Sequence, residues 1–191
     1  MNEIGRKVGN AIAQKCSSEK GITSCSIVLP EKCIRAMSVS ELTATFISNL
    51  YSDNRFRSDN KKKFNCEKLS KVSIIIDMDS QMSTNDHVST TNDFQSELEN
   101  EIIKGSAIAK GVYLAKDIVN SPHNVLNSRS LANTALKIAK ESHGRIKCRI
   151  LEKDDCEKRG MGAFLGVARG SETTPKFIHL IYSPRKRPKS M

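Results

Sequence analysis

The spacing of hydrophobic and polar residues predicts four elements before residue 80, in the order helix, strand, helix, strand. The segment MNEIGRKVGNAIAQKC carries hydrophobic residues at helical spacing and predicts a helix over about 3–18. The segment ITSCSIVLP then predicts a short strand that Pro30 ends. In SVSELTATFISNLY the spacing becomes helical again, and Ser38 or Ser40 is placed to cap this second helix.

The segment KVSIIID predicts a second strand after a basic stretch. Its consecutive β-branched residues are typical of a sheet that is covered on both faces. The order helix, strand, helix, strand favours an α/β layered domain. Residues 78–92 are polar and lack Gly, Pro and any periodicity, so they predict an exposed connection. His87 lies there without a second His at ligand spacing, and we interpret it as a solvent-facing residue.

A long helix is predicted from Asn92 or Asp93 onward. Its hydrophobic stripe consists of Phe94, Leu98, Ile102, Ile108, Val112, Ala115 and Val119. At about 1.5 Å per residue such a helix would reach roughly 40 Å, which is long enough to bridge two domains. Because the ring of Pro122 disfavours helical backbone at the residue before it, the helix is predicted to end near Asn120.

The turn SPHNVLN is rigid and contains Asn and His, which raises the question of whether it carries chemistry. Asn127 is placed to cap a new helix that ends at Gly144, with Leu131, Ala135, Ile138 and Ala139 on one stripe. We therefore predict a conformational role for the turn, with His123 exposed rather than catalytic.

Two strands and a glycine-rich segment follow. RIKCRIL alternates and predicts a half-exposed strand, and KFIHLIYS predicts a final strand in which His179 is packed or at an edge. Between them, one or two short helices are predicted, broken at Gly160 and Gly162. These glycines and Gly166 do not predict a nucleotide site, because they follow a helix and lack the full spacing of a phosphate-binding loop.

Composition narrows the class of protein. The chain has 191 residues, 38% of them hydrophobic and 27% charged, which is enough for one full domain or two incomplete ones. No run approaches the roughly 18 apolar residues of a membrane helix, so no membrane partner is predicted. The basic, amphipathic start favours a domain helix, and a transit peptide is the alternative. The six cysteines have no C-x-x-C spacing, which predicts a reduced, intracellular chain without a metal site or disulfide framework.

A net charge of +10 raises the possibility of nucleic-acid binding. Seven basic residues against three acidic ones lie within residues 51–71, and four more basic residues lie in the tail PRKRPKSM. Few aromatic residues that could stack on bases accompany them. We interpret the two segments as a solvated loop and a chain end, and expect nucleic acid not to be a partner.

Three segments carry a resemblance to a known family: YSDNRFRSDNKK, GVYLAKDIVNSPHNVLN and MGAFLGVARGSETTPKFIHLIY. In this order they resemble the cytosol leucyl aminopeptidase family, particularly its plant and algal members. The resemblance implies a small α/β domain similar to macro domains, a long interdomain helix and an α/β metallopeptidase catalytic domain. The implied boundaries are a partial N-terminal domain over 1–80, a polar connection over 81–92, the helix over 93–121, the start of the catalytic domain over 122–183 and an unrelated basic tail over 184–191.

The resemblance also implies an activity and a cofactor. Family members release N-terminal amino acids from peptides with two divalent ions, zinc, manganese or magnesium, held by Lys, Asp and Glu residues. Those ligands lie in motifs of the type V-G-K-G-x-T-F-D-S-G-G and N-T-D-A-E-G-R, and neither motif occurs in this sequence. No catalytic, metal-binding or substrate-binding residue can therefore be assigned, and no cofactor is expected to be retained.

Two functional interpretations follow. The first is a leucyl aminopeptidase by ancestry, truncated at both ends and inactive by itself. The second is an assembly or binding module that docks on full-length hexameric aminopeptidase subunits, forms a homo-oligomer, or binds nucleic acid through its basic segments. The resemblance implies a cytoplasmic location, with the plastid as the alternative.

Overall fold

The computed structural model describes residues 2–19, 21–58, 69–77 and 87–184. It divides into two compact units, residues 1–117 and 118–191. The elements in chain order are α1 (Asn2–Ser18), β1 (Ser24–Pro30), α2 (Glu31–Ala36), α3 (Val39–Asn49), β2 (Lys71–Asp77), α4 (His87–Asn120), α5 (Ser128–Glu141), β3 (Ile146–Leu151), α6 (Lys153–Lys158), α7 (Gly162–Ala168) and β4 (Phe177–Tyr182). The predicted α/β class is confirmed, and the division between the units falls within the segment predicted as an interdomain helix.

Unit 1 contains a parallel pair of strands, β1 and β2. Cys25 and Ile27 lie on the face that is turned toward the helices, and Cys25 packs against a core of Ala13, Cys16 and Phe46. On the opposite face, Val28 and Ile75 pair in register and are 59% and 47% exposed. The prediction of a sheet covered on both faces is therefore wrong for the described residues, because their helices pack on one face.

Helix α3 is the most buried element of unit 1, since glycines let its neighbours approach its backbone. A Cβ atom added at Gly9 of α1 would lie 2.5 Å from the carbonyl oxygen of Leu42. A Cβ atom added at Gly105 of α4 would lie 2.5 Å from the carbonyl oxygen of Ser40 and 2.7 Å from the Cβ of Thr43. Real Cβ atoms do not come this close, so α1 and α4 can both contact α3 in this way only through glycine.

The start of α3 shows which serine forms the cap. Ser38 is the N-cap, and its Oγ accepts the backbone N–H of Glu41 at 3.3 Å. Ser40, the other candidate, lies inside the helix and is buried. Its backbone N–H donates to the Oε2 of Glu101 on α4 at 3.3 Å. A free amide of the first turn is thus satisfied by a neighbouring helix.

Helix α4 begins at His87, earlier than the predicted Asn92 or Asp93, so residues 87–92 of the predicted connection are helical. Residues 81–86 lie outside the described part of the chain. The buried face of α4 passes through Gly105 and Ala109, the latter 0% exposed. Ile108 and Val119 of the predicted stripe are 45% and 80% exposed. The predicted stripe is therefore wrong at Ile108 and Val119, and small residues make the close contact with α3.

In unit 2, α5 begins at the predicted cap. Asn127 Oδ1 accepts the backbone N–H groups of Arg129 and Ser130, and the Oγ of Ser130 accepts the N–H of Asn127 in return. The helix ends at Glu141, before the predicted Gly144, since His143 and Gly144 adopt positive φ angles of 51° and 82°. Its buried residues are Ala132 and Ala135, whereas Leu131 of the predicted stripe is 37% exposed.

The remaining elements of unit 2 match the predicted ones. β3 and β4 pair antiparallel, with Ile146 opposite Tyr182 and Leu151 opposite Phe177. Two short helices, α6 and α7, lie between them, and Gly160, with φ of 67°, separates the two. The rings of Phe164 and Phe177 meet edge to face with centroids 5.7 Å apart, which fixes α7 against β4.

Two further observations concern sulfur and membranes. The five described cysteines are free thiols, and Cys16 and Cys156 are buried, while Cys66 lies outside the described residues. None of the described helices combines the length and the apolar character that crossing a bilayer requires. Most of the basic stretch, residues 59–68, and the tail residues 185–191 also lie outside the described part of the chain.

Candidate functional site

A group of polar and aromatic side chains surrounds the last turns of α4 within unit 1. We call it the helix-end cluster, and it consists of Tyr51, Asp53, Arg55, Tyr113, Lys116 and Asp117. The first three residues belong to the loop after α3, and the last three belong to α4. The cluster therefore joins segments that are more than 60 residues apart in the sequence.

Asp117 is bound by two residues at the start of the loop, Tyr51 and Arg55. The hydroxyl of Tyr51 donates to Asp117 Oδ1 at 2.8 Å. Arg55 Nη2 donates to the carbonyl oxygen of Asp117 at 2.8 Å and lies 3.3 Å from its Oδ1. Together these bonds satisfy polar groups of the last turn of α4, where carbonyl groups have no partner within the helix.

Tyr113 and Lys116 of α4 bind the last turn of α3. The hydroxyl of Tyr113 donates to the carbonyl oxygen of Ile47, and Lys116 Nζ donates to that of Ser48, both at 2.7 Å. These are carbonyl groups of the last turn of α3, and a cation is favourable there because of the helix dipole. The rings of Tyr51 and Tyr113 also meet edge to face at 5.1 Å. Burial raises the pKa of Tyr113, so its hydroxyl stays a donor at neutral pH.

Asp53 and Arg55 form a two-bond ion pair at the outer side of the cluster. Arg55 Nε and Nη2 each donate to one carboxylate oxygen of Asp53 at 2.9 Å. These bonds lower the pKa of Asp53 to about 2, and the backbone N–H of Arg55 adds a further bond at 3.1 Å. Asp53 is thereby ionised at all ordinary pH values and holds Arg55 in position for Asp117.

We expect the Asp53–Arg55 pair to make stability depend on pH in the acid range. Because folding lowers the pKa of Asp53 from 3.8 to about 2, its contribution is present above pH 4 and is lost as the pH falls through 2. The contribution is about 1 kcal/mol after allowance for solvent, since the Arg55 side chain is 42% exposed. Urea unfolding of Asp53→Asn at several pH values measures it.

The control for this prediction is Asp93→Asn, which changes an exposed carboxylate of α4 that has no ion pair among the described residues. Asp53→Asn should lower the free energy of unfolding at pH 7, and its difference from the unsubstituted chain should shrink toward pH 2. A constant difference from pH 7 to pH 2 would contradict the assignment.

The turn after α4 has a conformational role, as the sequence predicts. The carbonyl oxygen of Pro122 accepts the N–H groups of Val125 and Leu126 at 2.9 and 2.8 Å. α4 ends at Asn120, and the Oγ of Ser128 donates to the carbonyl oxygen of Thr174 at 2.6 Å. The backbone is thus redirected into α5 by bonds within unit 2.

The histidines and glycines weighed as site residues do not converge. His123 is exposed on the turn, as predicted, and His179 is exposed on β4. The side chain of His87 lies outside the described part. Gly160, Gly162 and Gly166 have open space where a Cβ would lie, so they form no tight cradle. Within the described ranges, no three His, Cys, Asp or Glu side chains could hold a metal ion. These residues therefore do not fit a metal pair.

Sequence reasoning did not find the helix-end cluster as a unit. Tyr51, Asp53 and Arg55 lie in a segment that carries the family resemblance and that the charge pattern predicts as part of a basic loop. The sequence feature that could have indicated the ion pair is the short spacing between an acidic and a basic residue, Asp53 and Arg55. Nothing in the local pattern points to Asp117 as the common partner.

Comparison with solved structures found proteins with a similar fold. The structure resembles that of a tomato leucine aminopeptidase mutant with a TM-score of 0.71 at 25% identity, covering 97% of this chain and 34% of the tomato chain. It also resembles the bottromycin maturation enzyme BotP in complex with Mn, with a TM-score of 0.68 at 18% identity, over 95% of this chain and 34% of that one. The second likeness concerns the fold alone.

Sequence comparison agrees with the structural likeness. Residues 113–191 match the family described as the cytosol aminopeptidase family, catalytic domain. A probable cytosol aminopeptidase of Rippkaea orientalis is 36% identical over 190 residues, which cover 99% of this chain and 34% of that protein. One of Nostoc punctiforme is 41% identical over 140 residues, 73% of this chain and 24% of that protein.

The chain belongs to the cytosol aminopeptidase family, and the predicted resemblance is confirmed. It spans about one third of the length of the Rippkaea relative and of the tomato structure. The family match runs through residue 191 and so includes the tail 184–191, although the resemblance predicts no counterpart for it.

Proposed function

We propose that these 191 residues are part of the framework of a leucyl aminopeptidase and do not hydrolyse peptides by themselves. The observation that carries this proposal is the family match over residues 113–191, which ties the second unit to the catalytic domain. Relatives that align with nearly the whole chain are about three times as long. The substrates by family would be peptides, from which the N-terminal amino acid is released.

In this proposal, residues outside these 191 hold the metal ions. BotP was solved with manganese, which supports a divalent ion for the family. Two such ions polarise the peptide carbonyl and supply a hydroxide at neutral pH when they are bound. The two motifs that would hold them do not occur in the 191 residues. What the present residues contribute is the fixed end of α4 and the turn into α5.

We expect the purified 191-residue chain to show no release of p-nitroaniline from leucyl-p-nitroanilide above background with manganese, zinc or magnesium. The physical reason is that no pair of ions would be held beside a substrate carbonyl. A full-length relative at the same concentration is the positive control. Turnover that a chelator abolishes and manganese restores would overturn the proposal.

We further propose that the chain associates with copies of itself or with full-length aminopeptidase subunits. Leu180, Ile181 and Tyr182 of β4 are 43%, 46% and 63% exposed, which supports contact with another polypeptide along this strand. Light scattering of the chain alone and after mixing with a full-length relative tests this. A monomer in both samples contradicts it, and binding to DNA that weakens steeply with salt would favour the nucleic-acid alternative.

For location we propose the cytoplasm, with the plastid as the alternative. The relatives are named cytosol aminopeptidases, which supports the first. Microscopy of a C-terminally tagged chain in a cell that contains plastids separates the two.

A further inference from the structure

A cavity of about 420 Å³ that is partly open to solvent lies within unit 1 and has no part in the proposed peptidase framework. The strands contribute Leu29, Ile74 and Ile76 to its wall, and α4 contributes Phe94, Leu98 and Ile102. All six side chains are apolar and partly buried. The cavity therefore separates the inner face of the sheet from the first half of α4.

The rest of the wall comes from α2 and α3. Ile34 and Leu42 are 3% and 1% exposed, so this part of the wall is well packed from behind. A space of this size and apolar character offers water few hydrogen-bond partners. Its volume falls instead in the range of small-molecule pockets, about 300 to 1,000 Å³.

The mouth of the cavity is polar and negatively charged. Gln95 and Glu99 lie one turn apart on α4, and Gln95 Nε2 donates to Glu99 Oε1 at 3.2 Å. Glu99 is the one charged residue among the described residues that line the cavity. It has no ion pair with a described Lys or Arg, whereas Glu101 is bound by Ser40 and Lys104.

Arg35, a cation that lines an adjoining groove, already has partners. The guanidinium of Arg35 lies 4.2 Å from the centre of the Phe94 ring and pairs with Glu31 at 2.6 Å. An anionic ligand would therefore meet the negative charge of Glu99, and Arg35 would not be free to offset it. A cationic head group would be attracted to Glu99, and it could donate a hydrogen bond to the side-chain carbonyl oxygen of Gln95.

We propose that this cavity binds a small primary amine, with its hydrocarbon body among the apolar side chains and its ammonium group at Glu99. Leucinamide and n-hexylamine are examples of the class. The inference concerns unit 1 alone and does not depend on the proposed peptidase role, so the two can fail separately.

The test uses the full chain and three ligands that each have an unbranched chain of six carbon atoms: n-hexylamine, n-hexanol and n-hexanoate. Chemical shifts of backbone amides in a titration report binding and its location. We expect saturable binding of n-hexylamine with a dissociation constant on the order of 1 mM, as is usual for so small a ligand. n-Hexanol should bind more weakly and n-hexanoate most weakly, with the affected amides around Phe94, Leu98 and Ile74.

Two variants separate the parts of the site. Glu99→Gln should weaken n-hexylamine about three- to fivefold, as expected for a partly exposed ion pair, and leave n-hexanol unchanged. Glu97→Gln, two residues away and outside the lining of this cavity, is the matched control and should change neither. Leu98→Trp should fill the cavity and weaken both ligands more than tenfold.

Three results would overturn the proposal: no saturable binding of n-hexylamine to the unsubstituted chain, equal affinity for n-hexanoate and n-hexylamine, or equal effects of Glu99→Gln and Glu97→Gln. Should Leu98→Trp fail to fold, the two surface variants still decide, because neither carboxylate is buried.

Discussion

Replacing Gly105 with alanine is expected to lower the free energy of unfolding of unit 1 by about 2 kcal/mol. The added Cβ would lie 2.5 Å from the Ser40 carbonyl oxygen and 2.7 Å from the Thr43 Cβ, so α4 would have to move away from α3. A backbone oxygen and a Cβ atom are both fixed to the α3 backbone, so neither can rotate aside. Urea unfolding measures the effect, followed by tyrosine fluorescence, because Tyr51 and Tyr113 both lie in unit 1.

Gly111→Ala is the matched control for this substitution. Gly111 lies on the same helix, and nothing is within 4 Å of the position of its Cβ. Alanine there should leave stability unchanged or raise it by up to about 1 kcal/mol, because alanine favours helix more than glycine does. Equal losses for the two variants would show that helix propensity, and not close packing, governs Gly105.

The largest loss is expected for Phe46→Ala, about 3–5 kcal/mol. Phe46 is 4% exposed and lies in the core with Ala13 of α1 and Cys16. Removing its ring leaves a cavity between α1 and α3 that backbone contacts at the glycines prevent from closing. The midpoint of thermal unfolding, followed by circular dichroism, measures the change.

Phe56→Ala is the control with the same chemical change at the surface. Phe56 is 48% exposed, and the guanidinium of Arg55 lies 5.2 Å from its ring centre. Its loss should cost no more than about 1 kcal/mol, the value of an exposed cation–π contact. If both substitutions cost the same, the core would have to be located elsewhere.

The parts of the fold that the sequence predicts well are those that local chemistry decides. Ser38 and Asn127 have side chains that accept free helix amides, and both are caps in the structure. Pro122 prevents helix at the residue before it, and α4 ends at Asn120. Each of these features depends on residues within one turn of the chain, so the sequence alone is sufficient.

The face of α4 could not be predicted in the same way. Hydrophobic periodicity gives weight to large residues such as Ile108 and Val119, and both are exposed. The buried face is instead formed by Gly105 and Ala109, because their small side chains let α4 pack closely. Small residues show no hydrophobic periodicity, and which of them faces another backbone is decided by tertiary packing.

The helix-end cluster could not be predicted from the sequence for a similar reason. Tyr51 and Asp117 are 66 residues apart, and neither segment has a pattern that points to the other. The family, in contrast, could be predicted, because it rests on the identity and order of several motifs. The resemblance thus identified the family, and the structure identified the contacts between residues that are distant in the sequence.

The glycine contacts on both sides of α3 also bear on the order in which unit 1 assembles. Arg6 and Glu41, which join α1 to α3, are 35 residues apart, whereas Ser40 and Glu101, which join α3 to α4, are 61 apart. The longer loop costs about 0.5 kcal/mol more in closure entropy. α1 and α3 therefore form the more local pair and are favoured as the folding nucleus, onto which the long helix docks later.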